Sequence, residues 1–525
     1  MNNSTTANST RISYSTLLLG ALSLLSLLRV FYILWGPLDL SPDEALYWDC
    51  TRRPELSYYT KGPVIVYLMM LSTYVFGTNV FGVRILAVVF SALSSVYLYK
   101  LCVSIFDDSD EARLTGFTAA LLFQFIPLYA AYGIVFTIDS PFMFLWIVSL
   151  YIFWKIISRP ASGYGLWIVL GVITGVGLMA KYIMAFFYIC AFIYLLLTEN
   201  RRLLKTPKPY VSFITGIVAF SPVIIWNAAR GWATLKHTAG HAHVADGLQI
   251  SPLSILEFIG SQLGVVTPVI LVLILIALFR LRGTQRGDFL FYFSIPVLLF
   301  FTVKSIQGKV QANWAMTGYI TGIVAAAWVF YKRDAFRAMS IHTKRTIVIG
   351  TAAAALVTVI GHFPAVLHLN PDNDPASRLR GWSEFGATIT KLYGELKQEG
   401  QSYPHGTEVF LVSDKYQVAA EMAFYTKGNP KVYCINLGRR VNEYDMWPGI
   451  NEDAIKAMKA APLRRIDALF ATDGNQPLHP YVAFAFDRCD KTPLAVKENG
   501  QILREYSIFK CYNFKGMLEV KPNTY

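Results

Sequence analysis

A dense group of polar and aromatic side chains follows the first long apolar segment of this sequence. Asp43 and Glu44 are adjacent, and Lys61 follows in the same connection, just before a Gly-Pro break. A carboxylate pair this close to a membrane boundary is costly to desolvate, so it needs either partners or a chemical task. Tyr58 and Tyr59 are placed to stack on a sugar or to lie at the headgroup level. An ordinary interfacial loop with solvated carboxylates is the alternative interpretation.

Other polar residues stand out where long apolar stretches begin or end. Asp139 precedes Ser-Pro and an apolar run, so it is either a helix cap or a functional carboxylate. Lys181 lies within a nearly continuous apolar stretch, where a lysine either snorkels to the interface or holds an anion. Lys304, Lys309 and Asn313 bracket a later turn, as headgroup contacts or as added positive charge for a site.

Carboxylates and lysines together support one type of chemistry. A carboxylate suits a general base that deprotonates an acceptor hydroxyl. Lysines suit the negative charge that develops on a phosphate leaving group. If the topology places both sets at one membrane face, the combination indicates transfer of a group from a lipid-linked phosphate.

A metal site is less well defined. His237, His241 and His243 lie in one loop, and the last two are close enough in sequence to share an ion. No regular zinc spacing is complete there without a carboxylate from elsewhere. A solvated loop is therefore the alternative interpretation.

The composition is typical of a polytopic membrane protein. Of the 525 residues, 54% are hydrophobic and only 15% are charged. The net charge of +13 would suggest nucleic acid in a soluble protein, but many basic residues here occupy short loops between apolar segments. No RNA-binding or zinc-finger signature is present, so we expect membrane lipids and no nucleic acid as partners.

Eleven apolar segments are long enough to cross a bilayer. They are 15–36, 80–106, 114–132, 141–157, 166–180, 182–198, 210–226, 254–281, 289–304, 313–330 and 346–363. Residues 63–76 are apolar but short, and we expect an interfacial or re-entrant helix there. Basic residues crowd the loops at 199–209 and 331–345, so the side that carries these loops is predicted to be cytoplasmic. The external side then carries the 37–79 loop, the turn before Asp139 and the tail.

The tail has a different composition from the rest of the chain. We predict a transmembrane domain at 1–363, with the external loop 37–79, and a soluble external α/β domain at 364–525. Strands alternate with helices in the tail, which favours this class. The helices are expected at 382–398, 415–425 and 452–461, and the strands at 408–413, 431–437, 466–472, 493–497 and 502–511. No Gly-rich nucleotide fingerprint accompanies them.

Two cysteines in the tail have two possible states. Cys489 and Cys511 either form a disulfide, if the tail lies outside the cytoplasm, or remain as two unpaired thiols.

The sequence around the charged residues resembles that of a family of membrane enzymes. It is similar to the polyprenyl-phosphate-dependent glycosyltransferases of the GT-C type, in the family-39-like group related to protein O-mannosyltransferases and the lipid A aminoarabinose transferase. The segments that carry the resemblance are Pro42 to Trp48, Ser57 to Pro63, Phe76-Gly77 and Gly82 to Arg84, and then Thr137 to Pro141, Ala180 to Tyr182, Pro222, Trp226-Asn227, Asn313-Trp314, Gly381-Trp382 and Tyr416 to Tyr425. The resemblance implies the GT-C fold, and together with the eleven apolar segments it predicts a polytopic α-helical membrane protein of GT-C type with about eleven transmembrane helices.

This resemblance also implies roles for individual residues. Asp43 matches the catalytic carboxylate, Glu44 its neighbour and Asp139 the second acidic position. Lys61 and Lys181 match positions that contact the lipid phosphate in relatives similar to the aminoarabinose transferase. The further candidates for substrate binding are Tyr58, Tyr59, Arg84, Lys304, Lys309 and Asn313. Many family members have Asp-His-Pro-Pro where this chain has Thr-Lys-Gly-Pro, so the motif leaves the sugar open.

The function implied is transfer of a sugar from a polyprenyl-phosphate donor to an external lipid, glycan or protein acceptor, with inversion. We expect the enzyme in a bacterial inner membrane, with its active site and tail on the periplasmic side. Some GT-C enzymes need a divalent metal and others do not, so the cofactor stays open. The alternative is a transporter or flippase of lipid-linked glycans, although the internal repeats often found in transporters are not evident.

Overall fold

The computed structural model consists of a helical membrane part followed by a domain built on a sheet. The residues it describes are 13–159, 163–241, 251–363, 374–403, 405–461, 464–518 and 520. His243 lies outside the described residues, as does the predicted domain boundary near residue 364. Within the described chain, strands occur only after residue 406.

Helices make up nearly all of the described chain before the sheet. They are α1 (Tyr14–Trp35), α2 (Pro42–Thr51), α3 (Val64–Phe76), α4 (Val80–Ile105), α5 (Asp110–Phe125), α6 (Pro127–Ala131), α7 (Asp139–Ser158), α8 (Tyr164–Ala180), α9 (Ala185–Leu197), α10 (Lys208–Ala229), α11 (Ala233–His241), α12 (Pro252–Val266), α13 (Pro268–Arg280), α14 (Gln285–Tyr292), α15 (Ile295–Lys304), α16 (Met316–Ala326), α17 (Arg333–Ala338) and α18 (Ile341–His362). Short 3₁₀ helices lie at Tyr182–Met184, Glu199–Lys205 and Ala312–Ala315, and a π-helical turn lies at Ala327–Tyr331.

Seven of the described helical segments are long and apolar enough to cross a membrane, or nine if each of two bent pairs counts as one span. The predicted count of eleven is therefore not confirmed. In the predicted span 114–132, α5 has 16 residues and ends before Pro127, and in 166–180, α8 has 17 residues. Helices of this size are about 24–26 Å long, less than the roughly 30 Å of a hydrocarbon core. The short helix expected at 63–76 is present as α3, with 13 residues.

One predicted span is broken into two helices. The 254–281 segment forms α12 and α13, which meet at an angle of 96°. Thr267 at the break has a φ of +73°, and Pro268 begins the second helix. A positive φ for a β-branched residue and a proline without an N–H both interrupt helical hydrogen bonding, so the apolar run continues where the helix does not.

The C-terminal domain has five strands and four helices among the described residues. The helices are α19 (Trp382–Gly400), α20 (Tyr416–Tyr425), α21 (Ile450–Ala460) and α22 (Pro480–Phe484), and the strands are β1 (Thr407–Ser413), β2 (Val432–Cys434), β3 (Arg465–Asp473), β4 (Phe486–Glu498) and β5 (Gln501–Phe514). The strand order is β2-β1-β3-β5-β4, with β1 parallel to both neighbours and the last two pairings antiparallel. The predicted α/β tail is confirmed, and Cys489 and Cys511 form a disulfide between β4 and β5.

The sheet domain packs directly on the connection after α1. The main-chain N–H of Leu40 donates to the Tyr425 hydroxyl at 2.8 Å, and the N–H of Trp382 donates to the Asp39 carboxylate at 2.8 Å. Apolar residues of α2, α3 and α20 share one buried cluster. The segment that carries Asp43 is therefore held between the helical part and the sheet domain.

Candidate active site

Glu44 is the buried member of the adjacent carboxylate pair. Ser41 and Glu44 form a capping box at the start of α2, in which Glu44 Oε2 accepts the Ser41 N–H at 2.9 Å. Arg84 donates to both oxygens of Glu44, from Nε at 2.9 Å and from Nη2 at 2.8 Å, and the Phe136 N–H donates to Oε1 at 2.9 Å. Glu44 is 0% exposed. Both of its oxygens thus join three segments of the chain, which is typical of a carboxylate with a structural role, and its predicted catalytic role stays a prediction.

Arg84 completes the same framework from the first turns of α4. Besides its two bonds to Glu44, its guanidinium donates to the carbonyls of Leu38 at 3.0 Å and Asp39 at 2.6 Å. The side chain is 1% exposed. These bonds hold the connection that carries Asp43, and a substrate would have to displace them to reach the guanidinium. Substrate binding by Arg84 stays a prediction.

Asp43 is the exposed member of the pair. Its Oδ1 accepts a hydrogen bond of 3.4 Å from the hydroxyl of Tyr416, which belongs to the sheet domain. Surrounding protein raises the pKa of Asp43 above its ordinary value by desolvation, while Lys61 and the Tyr416 bond oppose this shift. The carboxylate is therefore accessible to a ligand and yet partly desolvated by the surrounding protein, a suitable environment for a general base.

Lys61 presents a cation with spare hydrogen-bonding capacity beside Asp43. Its Nζ lies 4.0 Å from the centroid of the Tyr47 ring on α2, and the residue is 5% exposed. No carboxylate of the described residues comes within ion-pair distance of this ammonium, although its charge opposes the rise in the pKa of both Asp43 and Glu443. A buried cation without a direct partner is well suited to an incoming phosphate.

A second acidic position lies where three predicted residues meet. Lys181 Nζ donates to Asp139 Oδ1 at 2.5 Å, and Asn313 Nδ2 donates to Asp139 Oδ2 at 2.8 Å. Asp139 begins α7, Lys181 follows the last residue of α8, and Asn313 lies in the 3₁₀ turn before α16. Asp139 and Lys181 are 3% and 8% exposed, and the Asp139 charge contributes to the raised pKa of Asp43. The two carboxylate–lysine groups therefore belong to one electrostatic site.

The paired tyrosines hold a loop together and have no exposed ring face. Tyr58 and Tyr59 are each 0% exposed. The Tyr58 hydroxyl donates to the Arg53 carbonyl at 3.2 Å and accepts the Glu55 N–H at 3.1 Å. The Tyr59 ring centroid lies 4.7 Å from that of His237. The predicted stacking on a sugar would need these rings to be uncovered.

The two later lysines are less closely tied to the site. Lys304 donates to Gln307 Oε1 at 2.6 Å, and Lys309 is exposed. Neither forms an ion pair with Asp43 or Asp139 within the described residues. Of the three candidates around this turn, only Asn313 contacts the acidic groups.

The sheet domain contributes residues that the sequence analysis missed. Tyr416 contacts Asp43, Glu443 accepts the Tyr59 N–H at 3.0 Å, and Tyr444 donates its hydroxyl to Asp49 at 2.8 Å. The Tyr416 to Tyr425 segment carried a resemblance but no chemical role. No spacing in the sequence connects these positions to Asp43, so the only signal was that weak motif.

A metal site does not form among the described residues. No group of three or more His, Cys, Asp or Glu side chains in this part of the chain is arranged to hold an ion. Asp43 and Asp139 each have a lysine nearby, whose positive charge opposes binding of a cation, and dependence on a divalent metal stays a prediction. The side chain of His241 and all of His243 lie outside the described residues, so the histidine hypothesis stays a prediction.

Comparison with known proteins identifies the class. Residues 60–226 match the family described as dolichyl-phosphate-mannose-protein mannosyltransferase. The fold is similar to the crystal structure of ArnT from Cupriavidus metallidurans bound to undecaprenyl phosphate, with a TM-score of 0.63 at 13% identity over 94% of this chain and 98% of that chain. It is also similar to the archaeal oligosaccharyltransferase AglB from Archaeoglobus fulgidus, with a TM-score of 0.51 at 13% identity over 87% and 69% of the two chains. This chain is a membrane glycosyltransferase whose fold is similar to that of ArnT, the GT-C type of membrane fold.

Two relatives show which kinds of sugar transferase this chain is similar to. Lipid A galacturonosyltransferase RgtD of Rhizobium johnstonii is 27% identical over 405 residues, which cover 76% of this chain and 80% of the relative. The undecaprenyl phosphate-alpha-4-amino-4-deoxy-L-arabinose arabinosyl transferase of Pseudomonas savastanoi is 31% identical over 179 residues, covering 31% of this chain and 32% of the relative. Both are transferases by name, which confirms the enzyme prediction, and no comparison supports the transporter alternative.

Proposed function

We propose that this enzyme transfers a sugar from an undecaprenyl-phosphate donor to a hydroxyl of a lipid A-type glycolipid. The observation that carries this proposal is an accessible carboxylate, Asp43, whose strongest charged neighbour is Lys61, a buried cation without an ion-pair partner among the described residues. The names of the relatives support the substrate classes: one acts on lipid A and the other uses an undecaprenyl-phosphate sugar.

Asp43 acts as the general base in this proposal. Its carboxylate takes the proton from the acceptor hydroxyl as the oxygen forms a bond to the anomeric carbon of the donor. The bond between that carbon and the phosphate oxygen breaks, and polyprenyl phosphate leaves with the electron pair. A single displacement of this kind inverts the anomeric configuration.

Lys61 stabilises the leaving group. Negative charge grows on the phosphate as the glycosidic bond breaks, and a buried ammonium such as that of Lys61 interacts with this charge more strongly than an ammonium in water. The Tyr47 ring beneath Nζ limits the positions that the ammonium can take, since it lies 4.0 Å from the ring centroid. The donor's lipid chain remains in the membrane throughout.

The Asp139–Lys181 pair has a supporting role in the same site. Lys181 is already compensated by Asp139 at 2.5 Å, so it offers a donor phosphate less net charge than Lys61 does. Asn313 fixes the second oxygen of Asp139. We assign this group to fixing the electrostatics and the framework around Asp43, with a secondary contribution to phosphate binding.

The topology that suits this function has eleven crossings with the active site and sheet domain on the periplasmic side of the inner membrane. The basic loops at 199–209 and 331–345 support a cytoplasmic location for the opposite side. The Cys489–Cys511 disulfide supports an oxidising compartment for the sheet domain. Labelling of single cysteines in intact cells with an impermeant reagent tests this topology, and a protected sheet domain would contradict it.

Transfer by the purified enzyme tests the reaction itself. The protein in lipid nanodiscs is mixed with lipid A and with undecaprenyl-phosphate-linked galacturonic acid or aminoarabinose in separate reactions. Mass spectrometry should detect one added sugar on lipid A with at least one donor, and none with Asp43→Asn. A folded enzyme that modifies lipid A with neither donor would contradict the proposed substrates, and glycolipid profiles of a strain lacking the protein would then locate the true acceptor.

A further inference from the structure

A buried carboxylate of the sheet domain lies on the turn that carries Lys61. Glu443 begins the 3₁₀ helix Glu443–Met446 and is 1% exposed. Its Oε2 accepts the main-chain N–H of Tyr59 at 3.0 Å, and the main chain of Thr60 also donates to this carboxylate. The sheet domain is therefore hydrogen-bonded to the two residues that immediately precede Lys61.

Glu443 and Asp43 face the same cation from two parts of the protein. Lys61 is the strongest opposing charge for both carboxylates. Burial raises the pKa of Glu443 to about 7, while Lys61 and the two main-chain bonds oppose this rise. The other titratable groups that interact with Glu443 are Glu55, Cys50, Tyr58 and Tyr182. Glu55 itself pairs with Arg230 at 2.7 Å, so Lys61 is the principal cation that Glu443 faces.

We propose that Glu443 is a positioning residue for the donor: it orders the Lys61 turn and competes with the donor phosphate for the Lys61 charge. This inference rests on the proposed function, because it requires a donor phosphate at Lys61. To accept the main-chain N–H bonds of the turn, residue 443 needs only a side-chain oxygen. To compete with the phosphate for Lys61, it needs a negative charge. The two roles are therefore separable by substitution.

The charge role has a definite dependence on pH. Above its pKa of about 7, Glu443 is ionised and partly neutralises Lys61, so the donor binds more weakly. Below that pKa the neutral acid leaves Lys61 to the phosphate, so donor affinity should rise as the pH falls through 7. The donor is a phosphodiester and stays singly charged across this range. Asp43 also faces Lys61, so its own titration has to be removed by a separate variant.

The experiment measures binding of undecaprenyl methyl phosphate, a phosphodiester that carries no sugar, from about pH 5.5 to about pH 8.5. Glu443→Gln keeps an oxygen for the Tyr59 and Thr60 N–H groups and removes the charge. At the alkaline end it should bind this probe about fivefold more tightly than the wild type, which is a modest coupling between two sites. Its affinity should also lose the step near pH 7, and Asp43→Asn in the same series removes the contribution of Asp43.

Three controls make the result decisive. Glu505→Gln removes an exposed carboxylate of β5 and should leave the wild-type profile unchanged. Glu443→Ala removes the acceptor as well, and should lower the melting temperature and weaken binding. In a Lys61→Gln background, Glu443→Gln should no longer change affinity, because the charge it competes for is absent.

The outcomes separate this inference from the proposed function. If Glu443→Gln keeps the wild-type pH profile, or binds the probe more weakly while folded, the inference is overturned although the enzyme still uses a lipid-linked donor. If Glu443→Gln fails to fold, Lys61→Gln provides the test. An affinity of Lys61→Gln for the probe that does not change between pH 5.5 and 8.5 supports the competition, and a step that persists near pH 7 overturns it. If the wild type binds no polyprenyl phosphodiester, the proposed donor fails and the inference fails with it.

Discussion

The site contains two carboxylate–lysine groups that differ in how completely the protein compensates them. Asp139 and Lys181 are joined at 2.5 Å, are nearly inaccessible, and have Asn313 on the remaining oxygen. Asp43 is exposed, and Lys61, although as buried as Lys181, lies with its Nζ 4.0 Å from the centroid of the Tyr47 ring and does not bond directly to a carboxylate. The residue types are the same, but only the second group has capacity left for a substrate.

This difference shows why residue type alone does not assign a role. A buried ion pair whose oxygens are satisfied is costly to open, so Asp139 is poorly placed to receive a proton from an acceptor. An accessible carboxylate with a raised pKa can take a proton from an acceptor. The nearby cation, which lacks a bonded partner, can attract a phosphate. Glu44 extends the lesson, because it is adjacent to Asp43 and yet entirely occupied by Arg84, Phe136 and Ser41.

The largest expected effect comes from Asp43→Asn. The amide keeps the shape and removes the base, so transfer should fall by about 10²–10⁴-fold while donor binding persists. Because the pKa of Asp43 is raised in the folded protein, its ionisation at neutral pH costs stability, and the neutral amide should leave the melting temperature unchanged or raise it. Single-turnover transfer with saturating donor measures the first effect, and thermal unfolding the second.

The pH dependence of that single-turnover rate checks the same assignment. The rate should rise with pH through the raised pKa of Asp43, so the acid limb should lie above the range of an ordinary aspartate. Tyr416→Phe removes a hydrogen bond that lowers this pKa and should move the limb to higher pH. Transfer by Asp43→Asn at a rate near that of the wild type would instead make Asp139 the next candidate base.

Breaking the compensated group should affect folding first. Lys181→Met leaves a buried Asp139 without its cation, which should lower the free energy of unfolding by about 3–5 kcal/mol. The double variant with Asp139→Asn removes both charges and should recover most of that loss. Thermal unfolding in detergent measures both. Weaker donor binding by Lys181→Met with unchanged stability would show that this lysine mainly serves the phosphate, as the family resemblance implies.

Removing the uncompensated cation should affect the donor more than the fold. Lys61→Met loses a charge-assisted contact with the phosphate, worth about 1.5–3 kcal/mol, or roughly 10–150-fold in donor affinity. Lys61→Arg keeps the charge and should retain more of the affinity than Lys61→Met does. Equal donor affinity in the wild type and in Lys61→Met would remove this lysine from the phosphate site.

The smallest effect is expected at the exposed lysine of the later turn. Lys309→Ala removes a solvated charge that has no ion-pair partner among the described residues. Donor affinity should therefore change by about twofold or less, and the free energy of unfolding by about 0.5 kcal/mol or less. Transfer kinetics at low and high donor concentration measure this. A tenfold rise in KM for the donor would place Lys309 at the phosphate and extend the uncompensated group.

The sequence by itself determined the membrane class and most elements of the tail. Long apolar runs and alternating strands and helices are local patterns, so the helices at 382–398 and 415–425 and the strand at 466–472 are found as α19, α20 and β3. The Asp43 to Lys61 segment was identifiable because its carboxylates, aromatics and lysine are close together in the chain. The α12–α13 break at Thr267 was not, because apolarity continues across it.

Only the tertiary structure decided which charged side chains already have a partner within the protein. Glu44 meets Arg84, Asp139 meets Lys181, and Glu443 meets the Lys61 turn across long stretches of chain that no local pattern connects. The energy of a charge depends on its partners and on its exposure, and both are set by how distant segments pack. For that reason only the family resemblance ranked Asp43 above Glu44 and Asp139 at the level of the sequence, and packing left Asp43 as the one of the three that is accessible to a substrate.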